Sequence, residues 1–286
     1  MPPDRRSAML ALIAASLWPT MAQAQVRPSN RSEAGRGDTP ARTLSFGPDP
    51  LQSLDIYGPE KPDAPILLFV HGGGWSRGDR SMVHALPDYA QRHGLTLAST
   101  DYRLAPAVSA REAAEDVAAA VARLHHDFPG RPVFLLGHSA GAHLAALVGI
   151  DPVYLGAQGL VPADLAGVIL LDGAGYDATG PRGRGLVGRA LDRMYTQAFG
   201  DAAADLSPTL RIRSGSAFPP FLIFHVASRE DSGTQSRQLA ETLIRAGGRA
   251  EVISAPGETH RSINTGFGLA DDPEGIRAAR FISDNS

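Results

Sequence analysis

Ser139 sits in Gly137-His138-Ser139-Ala140-Gly141, between the apolar run Val133–Leu136 and the helix-forming stretch Ala142–Val148. Strand, G-x-S-x-G, helix is the pattern of a nucleophile elbow, in which a strained turn lifts the serine oxygen above a sheet. The two glycines remove side chains where such a turn crowds its neighbours. A second motif, His71-Gly72-Gly73-Gly74-Trp75, follows the apolar run Ile66–Val70. Acyl transfer needs N–H groups aimed at the oxygen of a tetrahedral intermediate, and glycines let the main chain approach it. Gly73, Gly74 and Ala140 are the expected donors, with Gly72 the weaker candidate; Ala140 gains from its place at a helix N-terminus. His71 is expected to fix the loop by hydrogen bonds rather than act as a base. Trp75 either lines the substrate pocket or packs.

A serine hydroxyl needs a base in hydrogen-bond reach, and the base needs an orienting carboxylate. In elbow proteins these follow the serine in the order acid, then histidine. Three histidines come after Ser139. His143 lies one helical turn on and is expected to pack, and His225 falls inside an apolar strand run. His260, in the turn-rich Pro256-Gly257-Glu258-Thr259-His260, is therefore the expected base. The acid is expected in Ala227-Ser-Arg-Glu-Asp-Ser232, where Asp231 is the choice and Glu230 its rival. Asp172, after another strand, is the outside alternative and is read as capping the next loop.

No metal-ligand spacing stands out, and His125-His126 read as the basic end of a helix. No G-x-G-x-x-G or P-loop follows a strand, so no cofactor is expected. The 286 residues contain no cysteine, which excludes disulfides, thiolate nucleophiles and iron–sulfur clusters. Lys61 is the only lysine, which leaves little room for Schiff-base chemistry. A net charge of -3 lacks the basic excess of a nucleic-acid binder; the expected partner is a small-molecule substrate.

These residues need a scaffold. Buried strands are expected at Ile66–Val70, Leu95–Thr100, Val133–Leu136, Val168–Leu171, Phe221–Val226 and Ala250–Ser254, because near-continuous apolar runs fit a parallel sheet covered on both faces. Ser109-Ala-Arg-Glu112 is a capping box that opens a helix, Gln235–Ala246 is a helix stopped by Gly247-Gly248, and Asp272-Pro273-Glu274 starts the last one. Residues 42–60 are expected to form an antiparallel hairpin. The fold class is α/β, a doubly wound, mostly parallel sheet flanked by helices. Arg5-Arg6, the apolar run near 8–17 and Ala22-Gln23-Ala24 have the form of a secretory signal peptide cleaved after Ala24. That divides the chain into a signal peptide (1–24), a flexible linker (25–41) and a catalytic domain (42–286), with an exported, periplasmic or secreted product.

The chain resembles α/β-hydrolases of the esterase/lipase group that carry HGGG. The likeness rests on His71-Gly-Gly-Gly-Trp75, Asp101-Tyr-Arg-Leu-Ala-Pro106, Gly137-His-Ser-Ala-Gly141, Ser207-Pro208 before Phe218-Pro-Pro-Phe221, and the loop around His260. It extends to feruloyl-esterase-like and kynurenine-formamidase-like branches. The resemblance implies that Asp101-Tyr102-Arg103-Leu104 braces the oxyanion loop. It also implies a serine esterase acting on short-chain or aryl carboxylic esters. The alternative is an amide hydrolase with the same triad, arylformamidase-like or a small peptidase. A non-catalytic binder is disfavoured because every catalytic role has a candidate. The family's Gly-x-x-Asp spacing is missing from the acid loop, and no long N-terminal helical cap is evident. Residues 173–217 are expected to cover the site instead, with Arg182, Arg184 and Arg189 facing either solvent or an acidic substrate group.

Overall fold

The computed structural model describes residues 39–58, 61–180 and 185–286. The expected signal peptide, most of the expected linker, Arg182 and Arg184 lie outside them. Eight strands form one sheet: β1 (Arg42–Ser45), β2 (Ser53–Tyr57), β3 (Ile66–Val70), β4 (Thr96–Thr100), β5 (Val133–His138), β6 (Leu165–Leu171), β7 (Phe221–Val226) and β8 (Ala250–Ala255). Their order is β1-β2-β4-β3-β5-β6-β7-β8. The β1–β2 and β2–β4 pairs are antiparallel and the rest parallel. The hairpin and all six anticipated strands are present. The amide of Ala41 already donates to the Ile56 carbonyl at 2.7 Å, so pairing starts one residue before β1.

Every residue of β3, β5 and β7 is buried, as a sheet covered on both faces requires. On one face lie α2 (Ala110–Asp127), α3 (Ala140–Ile150) and α7 (Glu230–Arg245), packing Val117, Val121, Leu144, Leu239 and Leu243 against Leu68, Leu135 and Leu170. On the other, α1 (Leu86–His93) and α9 (Pro273–Asp284) bring Leu86, Tyr89 and Phe281 against Phe69, Phe134 and Leu136. Each such side chain contributes about 1.5–3 kcal/mol by leaving water.

Local signals set the helix ends. Ser109 caps α2 with the reciprocal Glu112 bond to its amide at 2.9 Å. Asp272 caps α9 by accepting from the Gly275 amide at 2.8 Å. The helix expected at Gln235 instead begins at Glu230, because Glu230 and Asp231 fill its first turn, where acidic side chains complement the N-terminal dipole. Short helices α4 (Pro152–Gly156), α6 (Pro208–Arg211) and α8 (Ser262–Thr265) and the longer α5 (Gly185–Phe199) complete the chain. The connection from β6 to β7 carries α5 and α6, which is the short cap expected after the sixth strand.

Candidate active site

The elbow follows from the two glycines. A Cβ on Gly137 would run into the backbone of Gly141 and Ala142, and one on Gly141 would overlap the carbonyl oxygens of Val70 and His71. With both side chains absent, β5 turns into α3 within one residue. Ser139 takes that turn at φ 54° and ψ -116°, a strained conformation that is retained only where the surroundings enforce it. Its amide donates to the Leu171 carbonyl at 3.0 Å, which ties the elbow to the end of β6.

The loop after β3 is shaped by close approach as well. Gly73 and Gly74 have φ of 128° and 60°, a region that costs glycine little. A Cβ on Gly73 would strike the Arg77 carbonyl. Among the described residues the amides of Gly73, Gly74 and Ala140 donate to no backbone carbonyl, so they stay available to a ligand oxygen. His71 is buried, and its Nδ1 lies 2.8 Å from the Gly72 carbonyl oxygen. Burial holds its pKa below the ordinary value, against the opposing pull of that carbonyl and of Asp101. Tyr102 stacks on the His71 ring at 4.3 Å and donates its hydroxyl to the His71 carbonyl at 3.0 Å. The Asp101 carboxylate accepts the Arg80 amide at 2.7 Å, and the Ala105 amide reaches the Trp75 carbonyl at 2.8 Å. The Asp101–Leu104 segment thus braces this loop.

Trp75 both packs and lines the site. It is buried, with its ring 5.2 Å from Tyr195 and 4.8 Å from Phe199 of α5. Its indole N–H donates to His143 Nδ1 at 3.2 Å, and His143 Nε2 in turn donates to the Leu206 carbonyl at 2.7 Å. Burial pushes the His143 pKa down to about 4, against the Leu206 bond. His143 therefore stays neutral and joins the oxyanion loop, the nucleophile helix and the β6–β7 connection.

His260 lies beside Ser139, and the carboxylate beside His260 is that of Asp172 rather than Asp231. His260 Nε2 is 3.0 Å from Ser139 Oγ, and its Nδ1 is 2.6 Å from Asp172 Oδ2. Asp231 is not at the imidazole. Its side chain is 73% exposed, and its closest cation is the Arg229 guanidinium at 3.8 Å. The run read as an acid loop is the first turn of α7, so the carboxylates of Glu230 and Asp231 serve the helix end. Asp172 directly follows β6, with φ 44° and a fully buried carboxylate. Its Oδ1 accepts from Ser232 Oγ at 2.6 Å and from the Val226 amide at 3.1 Å, and its Oδ2 from Arg229. Burial alone would raise its pKa, but the bonds from His260 and Ser232, the Arg229 charge and the Val226 amide outweigh it and hold the group well below the carboxylate range. In the sequence Arg229 reads as a surface ion-pair partner and Ser232 carries no signal, yet both hold the Asp172 carboxylate. Arg229 Nη1 also lies 2.6 Å from His260 Nδ1. With Nδ1–H directed at Asp172, the Nε2 lone pair faces the serine hydroxyl.

These groups open into a cavity of about 630 Å³. Gly73, Gly74 and Trp75 form one wall, Leu191, Met194 and Tyr195 of α5 form the roof, and Asp231 and Gln235 of α7 the far side. Arg189, also on α5, is exposed and does not line this cavity. Among the described residues no cluster of histidine and carboxylate groups could hold a metal ion. The arrangement can activate a hydroxyl and receive an oxyanion, and its roof is apolar enough to seat a small acyl or aryl group.

Sheet and elbow agree with the family described as alpha/beta hydrolase fold, to which the chain belongs and whose match spans residues 67–264. It is similar to esterase LipC of Mycobacterium tuberculosis, at 34% identity over 262 residues covering 80% of this chain and 60% of that one. It is also similar to the kynurenine formamidase of Meyerozyma guilliermondii, at 33% identity over 112 residues covering 37% of this chain and 41% of that one. The chain thus spans less than two thirds of the length of these relatives. Among solved structures, esterase B of Lactobacillus rhamnosis shares the fold at a TM-score of 0.70 and 24% identity, covering 97% of this chain and 96% of that one.

Proposed function

We propose that the chain is a serine carboxylic ester hydrolase working through an acyl-enzyme. The observation that carries this reading is the hydrogen-bonded line Ser139–His260–Asp172 beneath the cavity. His260 Nε2 takes the Ser139 proton as Oγ attacks the ester carbonyl carbon. The oxyanion meets the amides of Gly73, Gly74 and Ala140. As the tetrahedral intermediate collapses, the bond to the alcohol oxygen breaks and His260 returns the proton to that oxygen. Water then repeats the sequence on the acyl-serine, releasing the acid and restoring the hydroxyl. Asp172 holds the imidazole in the required tautomer and stabilises its charged form.

Short-chain and aryl esters are the substrates we infer, on the size of the cavity and its apolar roof. The form of residues 1–24 supports export of the mature chain. A second reading, cleavage of an amide or formamide by the same residues, draws on the similarity to a kynurenine formamidase over 112 residues. One experiment tests the main reading: hydrolysis of 4-nitrophenyl acetate and butyrate by residues 25–286, beside labelling with a fluorophosphonate. Turnover and labelling in the wild type, both abolished in Ser139→Ala, are expected. Turnover that survives Ser139→Ala would sink the proposal. Faster cleavage of an N-formyl aromatic amine than of either ester would transfer it to the amidase reading.

A further inference from the structure

Arg77 lines the same cavity as Ser139 and His260, and its position is fixed from both sides. The Ser76 amide closes a turn onto the Gly73 carbonyl at 3.3 Å. In that turn the Arg77 carbonyl and side-chain stem lie against Gly73, where a Cβ would come within 3.2 Å of Cγ. One residue on, Gly78 has φ 103°, and a Cβ there would meet the carbonyl of Gly72 and stand 2.5 Å from the His71 ring. The backbone that carries Arg77 is thus set by the close approaches that shape the oxyanion loop.

Its charge differs from that of its neighbours. Arg80 is paired with Asp101 and lies 3.0 Å from Asp55, Arg103 holds Asp116 at 2.8 Å, and Arg229 is engaged by Asp172. Arg77 is exposed, and among the described residues its guanidinium has no hydrogen-bond or ion-pair partner. The cavity also holds two carboxylates, but they stand on the other side of the nucleophile. Asp231 belongs to α7, after β7, and the Asp177 amide is tied to Gln235 of α7 at 3.0 Å. The Asp177 carboxylate accepts the amide and hydroxyl of Thr179 at 2.9 and 2.6 Å. In the sheet β3 borders β5 on one side and β7 lies beyond β6 on the other, so Arg77 is the charged side chain that the loop after β3 contributes to this cavity.

Resting on the esterase reading above, we propose that Arg77 is a specificity-determining residue and that the substrate is an ester carrying an anionic group, such as a carboxylate, on the β3 side of the cavity. A guanidinium offers such a group two parallel N–H bonds of charge-assisted strength. A neutral group of the same shape gains much less from it.

The test compares kcat/KM for two isosteric pairs, with the purified mature chain at low salt. In the first, the acyl side carries the anion: 4-nitrophenyl hemiglutarate against its terminal carboxamide. In the second, the alcohol side does: 3-acetoxybenzoate against 3-acetoxybenzamide. At least one pair should favour the anion by about fivefold or more, a preference that salt weakens. Arg77→Gln should remove that preference, and Arg77→Glu should reverse it. Ratios near one in both pairs, or a ratio that Arg77→Gln leaves intact, overturn the inference, while hydrolysis of the carboxamides upholds the esterase reading. Failure of the wild type to hydrolyse any of the four overturns both.

Discussion

His138, the residue before Ser139, holds the main chain of His260: its Nε2 donates to the His260 carbonyl at 2.9 Å, with the two rings 4.7 Å apart. Burial, and then the neighbouring His260, push the His138 pKa down to about 3, so it makes this bond as a neutral ring. Misplacing a base by about 1 Å can cost up to ~100-fold in rate. His138→Ala should lower kcat by about 10–100-fold with KM little changed. His138→Gln, which can still donate, should recover part of the loss. Equal defects in both variants would leave His138 a packing residue only.

The two aspartates should separate cleanly. Asp172→Asn keeps the shape but presents an amide to Nδ1, and should cost roughly 10³–10⁴ in kcat. Asp231→Asn removes an exposed charge and should stay within about twofold. Steady-state kinetics on 4-nitrophenyl acetate distinguish them, and a larger loss in Asp231→Asn would mean the acid after β7 serves after all.

Buried neutral histidines should make the fold sensitive to acid. In the unfolded chain an imidazole binds a proton below about pH 6.5. In the folded chain His143 resists protonation down to about 4 and His138 down to about 3. The unfolded state therefore binds more protons across this window, and stability falls as pH drops through it. The slope is at most about 1.4 kcal/mol per pH unit for each histidine, or a few degrees of Tm. The Asp172 shift runs the same way at lower pH: its contribution is present above the ordinary carboxylate pKa and is lost below it. Scanning calorimetry from pH 7 to 4 should show the decline, and His143→Met should flatten it.

Gly141→Ala offers a stability test of the elbow. The new methyl would overlap backbone oxygens of β3 and the residue after it, which cannot step aside as a side chain can. A destabilisation of about 3 kcal/mol or more is expected, well above the effect of an ordinary helix substitution. Urea unfolding followed by tryptophan fluorescence measures it; a wild-type midpoint would show that the turn has room.

Much of this site was legible in the chain because its signals are local. The elbow and the glycine loop are contiguous motifs bounded by apolar runs, and His260 is the histidine left once His143 and His225 are given to helix and strand. Chain order does not separate Asp172 from Asp231, since both lie between Ser139 and His260, and strand position favours Asp231. Asp231 offered the right residue type after the penultimate strand, in a polar stretch. The discriminating signal was burial. Asp172 directly continues the buried run Val168–Leu171, so its carboxylate is carried into the interior and must find partners. Asp231 stands among Arg229, Glu230 and Ser232, where water can serve it. The interaction of Trp75 with His143 and Leu206 spans three distant segments, and no spacing announces it.

The route from β6 to β7 has an engineering consequence. It begins with Asp172, lines the cavity through α5, and is moored through the Leu206 carbonyl to His143. Its fixed points are Asp172, Leu206 and, at the end of α5, Tyr195, Ala198 and Phe199 in the core, while Leu191 and Met194 earlier in α5 line the cavity. The part of α5 that carries Leu191 and Met194 is therefore the place to re-shape what enters the cavity without disturbing Ser139, His260 or Asp172, provided the aromatic pair at positions 195 and 199 still meets Trp75.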